Sequence, residues 1–301
     1  MNSLSEKLAD RLAEAILESH GEEVLNLYLD ELSYEGIDLP SLGRLRHIRA
    51  ILVAAGESSR LLHLISDKPA CLLEIGGRTI LGRELENLRA CGINDIVVVR
   101  GYQGDKIKYP AIRYYDNREY RNTGILRSLF HARGEMDTEF VFCYSDILYT
   151  KEVLELLLRE QSDISLVVDT DWKKHYRERN EHPASEAELV RVEDDRIVQV
   201  GRNIIEPSEA HGEFIGLARF SKDGAESLKV IHDWATEIYW DRAFHTSPSV
   251  DKASFINLIQ ELINQGYPVY HVDICKNWAE IDTVEDFDRV SRQLHSILTI
   301  N

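Results

Sequence analysis

Cysteine is scarce. The chain has four in 301 residues and no Cys-x-x-Cys pair, which excludes a disulfide scaffold and a thiolate zinc site of the usual spacing. Cys71, Cys91, Cys143 and Cys275 stand far apart among mostly apolar neighbours, so they read as buried, reduced thiols of a cytoplasmic protein. Basic residues are also short in supply: 35 Lys and Arg against 52 Asp and Glu, a formal net charge of −17. That balance argues against nucleic acid or an anionic membrane as the main partner, and leaves room only for a local basic pocket. No apolar run approaches the length of a membrane span. The start Met1-Asn2-Ser3-Leu4-Ser5-Glu6-Lys7 lacks the basic residues and apolar core of a signal peptide, so a cytoplasmic location is expected. Internal repeats and low-complexity segments are missing too.

What the chain does have is alternation. From residue 46 onward, strands are predicted near 48–54, 95–100, 111–115, 139–145, 163–168, 212–219 and 268–273. Helices are predicted near 79–91, 122–133, 150–160, 222–236, 252–265 and 283–298. Ile51-Leu52-Val53 and Ile96-Val97-Val98-Val99 are continuously apolar, the mark of central parallel strands covered on both faces. The expected architecture is a three-layer α/β fold over residues 46–301, with a mixed, mostly parallel sheet. Glu188–Val200 reads as a surface hairpin around Asp194-Asp195. Residues 1–45 read as a helical extension. Its two apolar stripes, anchored by Leu8, Leu12, Leu25 and Tyr28, cannot be buried within the pair, so docking on the main domain or on a second copy is expected.

The most informative stretch runs from His47 to Gly77. A buried strand stops at Ala54-Ala55-Gly56, a polar loop with Arg60 follows, and Lys68-Pro69 leads to a second apolar segment. Small residues let the backbone approach a ligand, and free N–H groups with a nearby cation suit phosphate oxygens. In open α/β sheets ligands bind beyond the carboxyl ends of the strands, where Gly56, Gly101 and Asp146 fall. Asp146 directly follows a buried strand, so it needs a cation or a capping role. Glu280 and Asp282 are two apart, so an extended stretch points both to one side. Two acids at strand ends suit Mg²⁺, which takes few carboxylates and keeps positions for phosphate and water.

These segments together resemble the nucleotidyltransferases, and within them the cytidylyltransferase branch, over residues 48–295. The resemblance rests on Ala54-Ala55-Gly56, Arg60, Lys68-Pro69, Gly101-Tyr102, Tyr144-Ser145-Asp146-Ile147-Leu148-Tyr149, Pro183-x-Ser185-Glu186-Ala187-Glu188 and Trp278-x-Glu280-x-Asp282-Thr283. Within that branch the chain resembles the phosphonate cytidylyltransferases associated with phosphoenolpyruvate mutase, and somewhat less phosphocholine cytidylyltransferase. The resemblance implies a Rossmann-like, GT-A-like fold. It implies a nucleotide held by Ala54, Ala55, Gly56, Glu57, Ser58, Gly101, Tyr102 and Thr123, with Arg60 and Lys68 as catalytic cations. Asp146, Asp282 and Glu280 would bind Mg²⁺. The implied reaction is attack of a phosphonate or phosphate oxygen on the α-phosphorus of CTP, releasing pyrophosphate.

For the acceptor, Asp169, Asp171, Trp172 and Glu213 are candidates to hold an amine, against a reading in which Trp172 packs on the sheet. Arg121, Arg127, Lys173 and Lys174 are candidates for the acidic tail, and Trp234, Tyr239, Trp240 and Asp241 form a second ambiguous group. His63, His175, His182 and His245 show no metal spacing and receive no role. The chain departs from the family at two positions. Ser58 replaces a second loop glycine, and its Cβ is expected to resist a positive φ. Ala70 replaces the lysine after the Lys-Pro step, a loss worth several kcal/mol of barrier by analogy with lost oxyanion donors, about 3 or 4. Two alternatives therefore stand beside the leading one: a sugar-1-phosphate nucleotidyltransferase, and a catalytically silent nucleotide-binding domain. A homo-oligomer is a further expectation.

Overall fold

The computed structural model describes residues 47–297, apart from residues 66 and 178. The expected amino-terminal helices and their anchors lie outside the described residues. The first strands are β1 (Arg49–Ala54), β2 (Glu74–Ile75), β3 (Arg78–Thr79), β4 (Asp95–Arg100), β5 (Arg113–Asp116) and β6 (Phe140–Tyr144). The rest are β7 (Ile147–Tyr149), β8 (Ile164–Asp169), β9 (Leu189–Glu193), β10 (Arg196–Gly201), β11 (Gly212–Phe220), β12 (Tyr270–Ile274) and β13 (Trp278–Glu280).

The apolar runs form the centre of a nine-stranded sheet, as their composition predicts. β1 lies between β4 and β6 and runs parallel to both. Its alternate residues divide between two cores. Ile51 and Val53 join Val97, Val99 and Phe142 beneath the helices Ile125–Phe130, Lys222–Ile238 and Phe255–Asn264. Ala50, Leu52 and Ala54 join Ile96, Val98 and Cys143 beneath the helices Ile80–Ala90 and Lys151–Leu158. Period-two alternation thus gives three layers, each fully buried large side chain contributing about 1.5–3 kcal/mol. Helix starts are fixed locally: Thr79 Oγ1 accepts from Gly82 N at 2.9 Å, and Ser221 Oγ from Gly224 N at 3.0 Å.

Past β6 the sheet becomes mixed. β11 runs antiparallel to β6, β8 and β9, and β12 is parallel to β8. Gly216 sits in the irregularity between Phe214 and Ala218 at φ 88°, where a Cβ would lie 2.4 Å from the Tyr144 ring. Both the backbone and the contact require glycine.

Three expectations are corrected. The hairpin β9–β10 is part of the sheet, with Leu189, Val190, Ile197 and Val200 buried, because its apolar face folds back onto the core. The helix predicted over 122–133 is confined to Ile125–Phe130, since Asn122, Thr123 and Gly124 are held by turn and loop hydrogen bonds. Cys275 is exposed, unlike the other three cysteines. The pairing of β13 with β7 was not foreseen, yet it brings the two acidic segments together. A small core of Leu61, Ile65, Ala70, Leu148, Ile281 and Leu294 ties the loop after β1 to the helix Val284–Ile297.

Candidate active site

A cavity of about 140 Å³ opens where β1 and β6 end, lined by Ala54, Ala55, Gly56, Ser58, Ala70, Thr123, Ser128 and Asp146 among others. The ends of β1 and β4 are pinned together: Tyr102 N donates to Ala55 O at 3.1 Å. A Cβ on Gly101 would lie 2.4 Å from that same oxygen, so this contact admits only glycine. Tyr102 itself is buried and meets Tyr120 edge-on. Ser58 has φ 47°, so the loop keeps the left-handed conformation that its side chain was expected to resist. Leu61 N donates to Ser58 O at 2.9 Å and closes the turn.

The opposite wall depends on Asn117, which sequence reasoning missed. It is buried, and its Nδ2 donates to Thr123 Oγ1 and to Ser128 Oγ, each at 2.9 Å. Glu57 accepts two bonds from Arg121, at 2.8 and 3.1 Å, so both are engaged beside the cavity. Ala70 faces the cavity from the Lys-Pro segment. Lys68 is half-buried and does not line it.

The acids lie next to this cavity. Asp146 Oδ1 is shielded from solvent and has no hydrogen-bond partner among the described residues. Burial, then the charges of Glu280 and Asp282, push the Asp146 carboxyl well above its ordinary range. Such a group is poorly satisfied without a cation. Neither acid is consumed as a helix cap. Thr150 occupies the cap position before Lys151–Leu158, and Thr283 forms a reciprocal box with Asp286: Asp286 N donates to Thr283 Oγ1 at 3.1 Å, and Thr283 N to Asp286 Oδ2 at 3.1 Å. Asp282 is thereby left for Arg60, which bonds to it and reaches Glu186 at 2.7 Å.

His182, assigned no role from sequence, is buried against the acids, with Nδ1 3.6 Å from Glu280 and 3.7 Å from Asp282. His182, Glu280 and Asp282 each offer a ligand atom within 4.8 Å of the others; Asp146 stands outside that trio but feels the charges of Glu280 and Asp282. Arg179, also missed, is buried and holds Glu280 from behind at 3.0 Å. The donor set is oxygen-rich and the Asp146 oxygen is orphaned, so the residues fit a divalent cation such as Mg²⁺.

A narrow recess adjoins these acids, lined by Tyr144, Glu186, Glu188, Arg202, Glu213, Phe214, Trp278 and Glu280 among others. Glu188 accepts from Arg202 at 2.7 Å and from Tyr144 Oη at 3.2 Å. Glu213 is bonded by Tyr176 Oη, but its Oε2 is buried and unpartnered. Burial, then Glu280, push its carboxyl well above the ordinary range.

The other acceptor candidates lie elsewhere. Asp169 is fully buried and spent on the protein itself, accepting from Trp278 Nε1 at 3.0 Å and Asp171 N at 2.9 Å. Trp172 packs with Ala187, Leu189 and Ile205, so the core reading holds for it. Asp171 pairs with Lys174, and Lys173 lies over the Trp172 ring. Arg127 pairs loosely with Asp251 at 3.8 Å, and Trp240 is exposed while Trp234 and Tyr239 pack on each other.

A strand-end cavity beside convergent acids, at the edge of a mixed sheet, is where α/β folds bind ligands. The chain belongs to the MobA-like NTP transferase domain family, whose profile matches residues 50–222, and is a nucleotidyltransferase. It is 27% identical to CTP:phosphoglutamine cytidylyltransferase of Campylobacter jejuni, over 80% of this chain and 98% of that protein. It is 31% identical to CMP-5′-(3-aminopropyl)phosphonate synthase of Streptomyces rubellomurinus, over 36% of this chain and 19% of that protein. Among solved structures, CTP:phosphocholine cytidylyltransferase of Streptococcus pneumoniae superposes with a TM-score of 0.61 at 20% identity, covering 82% of this chain and 99% of that one. That likeness concerns the fold. No helix among the described residues is long and apolar enough to cross a membrane.

Proposed function

We propose that this chain transfers CMP from CTP to a small phosphonate or phosphorylated amine, releasing pyrophosphate, with Mg²⁺ as cofactor. The observation that carries the reading is the orphaned, shielded oxygen of Asp146, a residue that lines the cavity within range of the charges of Glu280 and Asp282. Asp146, Glu280 and Asp282 would hold the ion, which when bound supplies charge neutralisation for the phosphates. Ala54, Ala55 and Gly56 present backbone to the nucleotide, and Gly56 faces open space where a Cβ would meet no atom within 4 Å. Arg60, on the exposed side of Asp282, is placed to exchange carboxylates for phosphate oxygens. The acceptor oxygen forms the new bond to the α-phosphorus as the bond to pyrophosphate breaks. That oxygen is already anionic, so positioning matters more than a general base.

The recess favours an amine-bearing acceptor over a hydroxyl-bearing one. Glu186, Glu188, Glu213 and Glu280 line it against Arg202 alone, with Tyr144, Phe214 and Trp278 as aromatic walls. The names of the relatives support CTP as donor and phosphate or phosphonate acceptors. A silent nucleotide-binding domain is the second reading, favoured by Ala70, which faces the cavity where the family carries lysine.

The test is pyrophosphate release from CTP, UTP, dTTP, ATP and GTP with 2-aminoethylphosphonate, 2-hydroxyethylphosphonate, phosphocholine and glucose 1-phosphate. Turnover is expected with CTP and an amine-bearing acceptor. CTP-dependent thermal stabilisation without turnover on any acceptor would favour the silent reading. Turnover with glucose 1-phosphate alone would overturn both.

A further inference from the structure

We propose that His211, His271 and Asp273 form a second metal site, for a borderline transition cation of the zinc type, separate from the acidic cluster at the cavity. His271 and Asp273 are two apart on β12 and so project from the same face of the strand. His211 immediately precedes β11 and is anchored by its backbone N donating to Val190 O at 2.8 Å. His211 Nε2 lies 2.9 Å from Asp273 Oδ2, and His271 Nδ1 lies 2.7 Å from Asp273 Oδ1. The two imidazole rings are 4.8 Å apart. Each residue offers one ligand atom within 4.8 Å of the other two.

Two imidazoles and a carboxylate select differently from Asp146, Glu280 and Asp282, the carboxylates proposed to hold Mg²⁺. Imidazole nitrogen suits Zn²⁺, Ni²⁺ or Cu²⁺, whereas Mg²⁺ and Ca²⁺ prefer oxygen. Three protein ligands leave the fourth tetrahedral position to water, and side-chain exposures of 32% for His211 and 42% for Asp273 leave an entry path. Asp195 and Glu160 add negative potential around His271. The arrangement is already compact, two imidazoles sharing one carboxylate, so binding needs only small side-chain shifts.

The position gives the site a consequence. His211 is two residues before Glu213, which lines the acidic recess, and Asp273 is followed by Ile274, whose carbonyl accepts from Thr170 N at 2.9 Å. A bound cation would tie the start of β11 directly to β12 across β8. It would stiffen one wall of the recess without touching the nucleotide cavity.

Zn²⁺ alone is the probe, titrated into the full chain without an affinity tag, in competition with a chromophoric chelator. The wild type is expected to bind one Zn²⁺ more than His211→Ala or His271→Ala. Asp273→Asn should weaken that site about tenfold or more, the loss of a direct ligand costing at least what an outer-shell partner does. His211→Asn, which retains a polar side chain, serves in place of His211→Ala if the latter melts early by circular dichroism. Stoichiometry separates this site from the cavity acids, which all four variants leave intact. Equal Zn²⁺ stoichiometry and affinity in the wild type and the folded histidine variants would overturn the proposal.

Discussion

Arg179 Nη2 lies 3.0 Å from Glu280 Oε2, and the Arg179 side chain is only 1% exposed. The same guanidinium reaches Asp286 at 2.7 Å, so one buried cation holds both an acid of the site and an acid of the following helix. A planar fork can serve two carboxylates in fixed directions, which an ammonium cannot. The orientation of Glu280 is therefore set from behind, by a residue that does not line the cavity.

Arg179→Met should destabilise the protein by about 3 kcal/mol, because Asp286 is left buried without its close cation, with Thr283 beside it and Arg289 at 3.5 Å. Arg179→Lys should recover part of that stability but raise the Mg²⁺ concentration needed for half-maximal turnover. Chemical denaturation and a Mg²⁺ titration of activity check the two effects separately. Unchanged stability in Arg179→Met would contradict the pairing.

Gly101→Ala should cost about 1–3 kcal/mol, since its Cβ would lie 2.4 Å from Ala55 O and must displace the loop. CTP should bind more weakly in proportion to that displacement. Calorimetric binding of CTP to the folded variant is the check, and unaltered affinity would mean that the loop is set elsewhere.

Ala70→Lys should raise turnover, because Ala70 lines the cavity at the family's lysine position. Lys68→Ala should be nearly neutral, since Lys68 is not among the lining residues. Steady-state rates for the two variants decide. A severe Lys68→Ala and a harmful Ala70→Lys would show that Lys68 supplies the phosphate contact.

His232 gives the protein an acid-sensitive element away from the site. It is buried and stacked on Phe130 with centroids 3.5 Å apart; burial outweighs Asp233 and lowers its pKa to about 4. The folded state therefore binds fewer protons than the unfolded state between about pH 4 and 6.5. Stability should fall as pH drops through that window, by roughly 3 kcal/mol in all. His232→Gln should flatten this part of the stability–pH curve, measured by denaturation at each pH; an unchanged slope would assign it to other groups.

Much of this was readable from the chain. Ile51-Leu52-Val53 and Ile96–Val99 announced a doubly covered sheet, because strands buried on both faces cannot alternate polar residues. The pair Glu280 and Asp282 point together, as their spacing implied, and Asp146, following a buried strand, lies within range of their charge. Arg179 and His182 were illegible for a different reason. They lie in an irregular loop, with no periodicity to orient them, and meet acids about a hundred residues away. Asp169 misled because its acidity was visible and its complete burial was not; only the fold shows that the Trp278 indole claims it. Ser58 was read through the cost of a Cβ at positive φ, yet φ there is 47°, a conformation serine can adopt when the surrounding loop fixes it.

The central claim is that Asp146, Glu280 and Asp282 hold the ion that the CMP transfer needs. Pyrophosphate release from CTP and 2-aminoethylphosphonate, followed against Mg²⁺ in the wild type, Asp146→Asn and Asp282→Asn, tests it most directly. The account predicts Mg²⁺-dependent release in the wild type and at least a hundredfold loss, about 3 kcal/mol or more of barrier, in either folded variant. Full activity of Asp146→Asn with Mg²⁺ present would contradict it.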